Sequence, residues 1–304
     1  MKRKRFDFTM EPGKYRERNF CNVPLKEKPL ISIVTPYYNA KDFFEQTFNS
    51  VINQTLANFE WIIVDDGSNK ENKDFLQGMV KKDYRIRLFI QENQGQSKAR
   101  NKGIKEALAD IVVPLDADDL IENYFLEINY HALKHYPEAD WSYTDSVGFY
   151  NQEYTWCIPF SAGRLTIANF LVVTAAFRKK TLNLVGGYSE LEKHYDEDWE
   201  LFLKLLVHKM VPLHIPVLGF WYRRRSDGMK QKVRLQKYLR KQSEKHIQSI
   251  AKQVDIKLQA QEYKGRLPVK SKKGEVRLKD NILRWLFQYR FMILLVRKIK
   301  KRDM

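Results

Sequence analysis

Between residues 31 and 145, short apolar runs alternate with amphipathic helical patterns, and this alternation narrows the possible folds more than any other feature. ISIVT (31–35), WIIVDD (61–66), IRLFI (86–90), IVVPLD (111–116) and WSYTD (141–145) read as strands. Near-continuous apolar runs of this length are typical of strands buried on both faces. The stretches between them read as helices. In KDFFEQTFNSVINQ (41–54), Phe44, Phe48, Val51 and Ile52 recur at i, i+4, i+7 and i+8, one face of a 3.6-residue period. NKDFLQGMVKK (72–82), SKARNKGIKEAL (97–108) and YFLEINYHALKHY (124–136) follow the same logic. Strands separated by single helices make βαβ units with right-handed crossovers, so the expectation is an α/β fold with a mostly parallel central sheet flanked by helices.

The alternation breaks near residue 150. VVTAAFRKK (172–180) reads as a strand, VGGYSE (185–190) as a turn, DEDWELFLKLLVHK (196–209) as a strong helix and HIPVLGFWYRRR (214–225) as an extended segment. The chain is then helical and basic to about 265, crosses a flexible basic linker at 263–275, and ends in a helix over 280–302.

Charge divides the chain in the same places. The net charge is +17, but residues 221–304 hold 26 Lys/Arg against 7 Asp/Glu (+19) and residues 1–28 hold 9 against 4 (+5). Residues 29–220 are therefore acidic, at −7. The predicted domains are a basic N-terminal extension (1–29), a catalytic domain (30–225) and a basic helical C-terminal extension (226–304). A hydrophobic content of 43% supports a sizeable core and excludes wholesale disorder. Cys21 and Cys157 are the only cysteines, too few for a disulfide scaffold or a four-cysteine zinc site, and they suit a reducing compartment. The opening MKRKRFDFTM is basic without a following apolar run, which argues against a secretory signal. The run FMILLV (291–296) falls far short of the ~20 residues that span a bilayer.

Three acidic clusters fall at strand ends or open a helix: Asp65-Asp66-Gly67-Ser68, Asp116-Ala117-Asp118-Asp119 and Asp196-Glu197-Asp198. Each alone reads more readily as a turn or a helix cap than as a site, Asp196 included. Together they point to a site, because ligands of open parallel sheets bind at the carboxyl ends of the strands. Close carboxylates repel one another unless cations intervene. Hard oxygen donors such as Asp116, Asp118 and Asp119 suit Mg2+ or Mn2+ shared with substrate phosphates. The chain has no Gly-x-x-x-x-Gly-Lys-Ser/Thr loop and no Gly-x-Gly-x-x-Gly after the first strand, so neither a P-loop NTPase nor a dinucleotide enzyme is supported.

ISIVTPYYNA, WIIVDDGS, NQGQSKARNKGI, VPLDADD, VGGYSE and DEDWELFLKL occur in the order and spacing of family 2 glycosyltransferases. The resemblance covers about residues 30–225. It implies a GT-A fold, a Rossmann-like nucleotide-sugar half joined to an acceptor half, and an inverting transfer from a nucleotide-diphosphate sugar, UDP-linked by preference. By the same resemblance Thr35, Pro36 and Tyr38 lie by the nucleotide. Asp66 bonds the base with Asp65 beside it, and Gly95, Arg100 and Asn101 flank the uracil or ribose. Asp116 and Asp118 form the Asp-x-Asp for ribose and the diphosphate-bound metal, with Asp118 and Asp119 as the metal-side candidates. Asp198 matches the catalytic base and Glu197 precedes it. Mn2+ or Mg2+ is the implied cofactor, and the implied acceptor is a hydroxyl of a cell-surface glycan or lipid-linked molecule.

Other residues carry weaker expectations. Arg100 is either a phosphate partner or a structural ion-pair partner. Arg223, Arg224 and Arg225 are either solvated edge charges or a loop closing over diphosphate. His194, His208 and His214 lack convincing ligand spacing. Trp141, Trp156 and Trp221 read as core in preference to sugar platforms, while Trp199 could approach an acceptor ring. Ile282, Trp285, Tyr289, Met292, Ile293 and Val296 form one apolar stripe with a basic rim. This fits an interfacial helix on an anionic surface, hence a cytoplasmic protein peripheral to the inner membrane face, although docking on protein is the alternative. A basic nucleic-acid-binding protein would leave the acidic strand ends unexplained, and a non-catalytic scaffold would leave the Asp-x-Asp and the base without a role, so no nucleic-acid partner is expected.

Overall fold

The computed structural model describes residues 6–12, 20–25, 27–191, 196–226 and 237–255, with side chains from 241 in the last stretch. The expected helix over 280–302 and its membrane role lie outside these residues, as does His194. Among the described residues, no helix is long and apolar enough to cross a membrane.

The predicted βα alternation folds as β1 (Ile31–Tyr37), α1 (Lys41–Ile52), β2 (Phe59–Asp66), α2 (Lys70–Val80), β3 (Ile86–Gln91), α3 (Gln96–Glu106) and β4 (Ile111–Pro114). After them come β5 (Leu120–Ile121), α4 (Phe125–His135), β6 (Trp141–Tyr150), β7 (Tyr154–Trp156), α5 (Ala162–Leu165), β8 (Ala176–Arg178) and α6 (Lys179–Leu184). The last described elements are α7 (Glu197–Val207), β9 (Pro212–Arg224) and α8 (Lys237–Ala251). One sheet runs in the order β3-β2-β1-β4-β8-β6-β9-β5, with β7 paired to the flank of β6. β1, β2, β3 and β4 pair in parallel, as do β6 and β9. The antiparallel β8 sits between β4 and β6, so β6 and β9 still point the same way as β1–β4. The strand expected over 172–180 is confined to Ala176–Arg178, because Lys179 already starts α6.

β1, β2 and β4 are largely apolar because both their faces are covered, β2 along its whole length, while β3 at the sheet edge is half-exposed. α3 lies so close to β1 that a Cβ on Gly103 would sit 2.4 Å from Val34 Cγ1, which is why a glycine occupies that helical position. On the other half, Trp141, Phe177 and Phe202 stack with centroids 5.1–6.1 Å apart at the centre of the core. Trp141 and Trp221 are buried as expected, but Trp156 is 37% exposed, which corrects its reading as core.

The basic ends are built into the body where they are described. Phe6 packs on Trp221 with centroids 5.6 Å apart, and the Cys21 amide donates to Asp83 Oδ2 at 3.0 Å. α8 docks against α7. Ile247 and Val254 join the core, Ser243 Oγ donates to Asp196 Oδ2 at 2.5 Å, and His246 Nε2 meets Glu200 Oε2 at 3.0 Å. The packing of α8 on α7 thus continues the folded body beyond residue 225. Asp196 opens α7 without a side-chain capping bond, its carboxylate being given to α8.

Candidate active site

The sheet order reverses direction between β1 and β4, and a cavity of about 700 Å3 opens at the carboxyl ends of the strands there. Pro36 and Tyr38 from the end of β1, Asp66 from β2, Gly95 from the start of α3 and Arg100 within α3 line one flank. Asp116 and Asp118 follow β4, Glu197 and Asp198 open α7, and Arg223–Arg225 end β9.

Asp66 spends both oxygens on the neighbouring loop. Oδ1 accepts from Gln91 Nε2 at 2.8 Å and the Gln94 amide at 2.9 Å, and Oδ2 accepts from the Gly95 amide at 2.8 Å. Gly95, with φ +92°, turns this loop into α3. Asp65 and Thr35 are buried and do not line the cavity: Asp65 Oδ1 accepts from the Ser68 amide, and Thr35 Oγ1 from Trp61 Nε1. Asn101 also lies off the lining. It clamps the Gly186-Gly187-Tyr188 turn to α3 by accepting from the Tyr188 amide and donating to the Tyr188 carbonyl and Glu190.

Arg100 is the hinge of the site. It is 1% exposed, donates from Nη2 to Asp116 Oδ1 at 2.6 Å and from Nη1 to Glu197 Oε1 at 3.0 Å, and lies 5.2 Å from the Tyr188 ring centroid. Burial alone would lower its pKa, but the carboxylates of Asp116 and Glu197 carry it above the ordinary value. Gln96 Nε2 also donates to Glu197 Oε1. Burial raises the Glu197 carboxyl, with Arg100 opposing. The loop after β4 and the start of α7 are thus tied together by one buried guanidinium.

The arginines of β9 hold the other side of the Asp-x-Asp loop. Arg223 donates from its amide to Asp119 Oδ1 at 2.7 Å, from Nε to the Asp118 carbonyl at 2.6 Å and from Nη2 to Gln46 Oε1 at 2.5 Å. Arg225 Nη1 stands 3.5 Å from Asp118 Oδ2. Arg223 is therefore a buried structural cation rather than a solvated edge charge. Burial first, and then the Asp116 charge, raise the Asp118 carboxyl; burial and Asp118 raise Asp119 strongly.

Among the described residues no three His, Cys, Asp or Glu side chains form a ready metal shell. Asp116 and Asp118 nevertheless fit a divalent cation completed by substrate. Their side chains are 26% and 29% exposed in the cavity wall, and they are hard oxygen donors of the kind that bind Mg2+ or Mn2+ together with phosphates. Asp119 is 1% exposed and off the lining, with one oxygen on the Arg223 amide, so it supports the loop from behind.

Asp198 lies in the first turn of α7, where the helix dipole favours a carboxylate. Its Oδ2 accepts from Asn169 Nδ2 at 3.2 Å, and its Oδ1 from the Trp199 amide at 2.8 Å. Trp199 is turned away, donating Nε1 to the Leu165 carbonyl at 2.7 Å. His214 stacks on Tyr143 and bonds Asp145, and His208 meets the Lys204 carbonyl at the end of α7, so neither enters the site. The sequence reading missed Asn169, Gln96, Tyr154 and Tyr222 in the lining. The alternation of aromatic residues in YTW (154–156) is the local signal that could have pointed to this wall.

The family model for glycosyl transferase family 2 matches residues 32–179. Residues 32–179 form a glycosyl transferase family 2 domain. Over 93 residues the chain is 45% identical to the putative teichuronic acid biosynthesis glycosyltransferase TuaG of Bacillus subtilis, covering 30% of this chain and 37% of TuaG. Over 100 residues it is 42% identical to an uncharacterized glycosyltransferase of Haemophilus influenzae, covering 33% of this chain and 40% of that protein. The alignments thus span two fifths or less of the length of these curated relatives. Among solved structures, S. aureus TarS 1–349 in complex with UDP-GlcNAc superposes with a TM-score of 0.58 at 19% identity, over 66% of this chain and 60% of that one. At that identity the likeness shows the shared GT-A architecture. The family 2 match contains Asp66, Arg100 and the Asp-x-Asp; Glu197 and Asp198 lie beyond it.

Proposed function

We propose that this cavity transfers a sugar from a nucleotide-diphosphate donor, UDP-linked by preference, to a hydroxyl of a glycan or lipid-linked acceptor, with inversion at the anomeric carbon. The observation that carries the reading is that the Asp116/Asp118 pair and Asp198 line one cavity and are braced across it by Arg100 through Asp116 and Glu197. The family 2 domain and the UDP-GlcNAc held by the structurally similar TarS support the choice of donor.

The residues divide the work. The loop ordered by Asp66 and the Pro36–Ala40 segment form the wall for the nucleotide. Asp116 and Asp118 would hold a divalent cation, which when bound offsets the negative charge that develops on the departing diphosphate. Asp198 takes the proton of the acceptor hydroxyl as that oxygen attacks, since a neutral hydroxyl is a poor nucleophile. Asn169 and the Trp199 amide fix the carboxylate for this role. Attack from the side opposite the leaving group inverts the centre, and one base suffices.

The test is a hydrolysis screen of UDP-glucose, UDP-galactose, UDP-N-acetylglucosamine and UDP-N-acetylgalactosamine with Mn2+, reading released UDP. Slow release from one donor above the others, abolished by chelation, is expected. No release from any of the four, and none from GDP- or dTDP-sugars, would refute the reading.

A further inference from the structure

The exposed Trp156 belongs to a built feature. On the β7-β6-β9 flank of the sheet, Trp156 is paired with Ser146, and Ser146 with Phe220. The next row pairs Tyr154 with Gly148, and Gly148 with Tyr222. Directly paired residues share a sheet face. The middle strand therefore carries a serine and a glycine, flanked by Trp156 and Tyr154 on one side and by Tyr222 and the buried Phe220 on the other. This is a trough with aromatic walls. Gly148 is required for it: a Cβ there would lie 2.2 Å from Tyr154 Cε1, so the Tyr154 ring lies across the glycine. Ser146, Tyr154, Trp156, Phe220 and Tyr222 all line the same cavity as Asp198 and the Asp-x-Asp.

The contents of the trough suit a molecule with one apolar face and a polar rim. The Trp156 and Tyr154 rings meet edge to face with centroids 5.8 Å apart, leaving Trp156 37% exposed within a concave wall. The Ser146 hydroxyl lies on the floor. At the end of the trough, Arg224 has its guanidinium 5.1 Å from the Tyr222 ring centroid and its Nε 3.3 Å from Gln152 Oε1. A pyranose matches this arrangement, with axial C–H groups for the aromatic faces and equatorial hydroxyls for Ser146 and Arg224. The trough is also placed away from the nucleotide wall. β1 and β2 carry Pro36 and Asp66, while β6, β7 and β9 lie beyond β4 and β8 in the sheet.

We propose that the β7-β6-β9 trough is the acceptor subsite, binding a pyranose ring of the acceptor stacked on Trp156. This rests on the transferase reading above. The test is saturation-transfer NMR on the full chain with UDP and Mg2+, using methyl glycosides of glucose, galactose, N-acetylglucosamine and N-acetylgalactosamine, with UDP affinity measured in parallel. Wild-type protein should saturate ring protons of at least one glycoside. Trp156→Ala should lower that signal by about fivefold or more, Trp156→Phe should restore most of it, and both should bind UDP as wild type does. An undiminished signal in Trp156→Ala, weakened UDP binding by that variant, or no signal from any glycoside with wild-type protein that binds UDP would each overturn the proposal. Trp156-dependent saturation by a chain that does not bind UDP would instead keep the saccharide trough and defeat the transferase reading.

Discussion

Asp198→Asn is expected to lower sugar transfer by ~10²-fold or more while leaving UDP affinity unchanged, because an amide cannot accept the proton of the attacking hydroxyl. The substitution keeps the size of the side chain and an oxygen for the Trp199 amide, so the start of α7 should stay folded. Asp198 lines the cavity, and Asn169 and its own helix turn hold its carboxylate there. A loss in kcat with constant donor affinity is the signature of an interaction made in the transition state. Normal transfer with poor donor affinity would move Asp198 out of the base role and into the donor site.

Arg100→Met carries the second large effect, on folding as well as turnover. Met fills much of the same volume but leaves Asp116 and Glu197 facing each other without their shared cation. Breaking a buried ion pair by removing one partner costs ~3–5 kcal/mol, because the remaining charge stays buried and uncompensated. At roughly 2–4 °C per kcal/mol for a domain of this size, the midpoint of thermal unfolding should fall by about 10 °C. Transfer should fall too, since Arg100 links the Asp-x-Asp loop to the helix that carries Asp198. Arg100→Lys should recover little, because one ammonium cannot reproduce the fork that reaches both carboxylates. An unchanged unfolding midpoint together with unchanged turnover would show that the two halves are held by something else.

Much of the first half was legible in the sequence. β1, β2 and β4 are buried on both faces, so their apolar character is nearly continuous and short-range patterns suffice to find them. The acidic strand ends follow from the same topology. The remainder depends on long-range pairing. Nothing local in VVTAAFRKK shows that only Ala176–Arg178 enters the sheet, antiparallel between β4 and β6. Composition marks the region after 225 as basic but cannot show that Ile247 and Val254 complete the core around α7. Within the Asp-x-Asp loop, residue type does not distinguish Asp118, which lines the cavity, from Asp119, which turns onto the Arg223 amide. Trp156 was misread for a related reason. An isolated Trp looks like core until its strand is seen on the flank of β6, with a glycine and a serine opposite the aromatic row.

On the function proposed above, Asp116 and Asp118 make the wall of a site for a nucleoside diphosphate. Calorimetric titration of the full chain with UDP, with and without Mn2+, tests it most directly when Asp118→Asn is run beside wild type. One UDP per chain is expected, bound more tightly with Mn2+, with that metal-dependent gain lost in Asp118→Asn. Equal UDP binding by both proteins with Mn2+ present would contradict it.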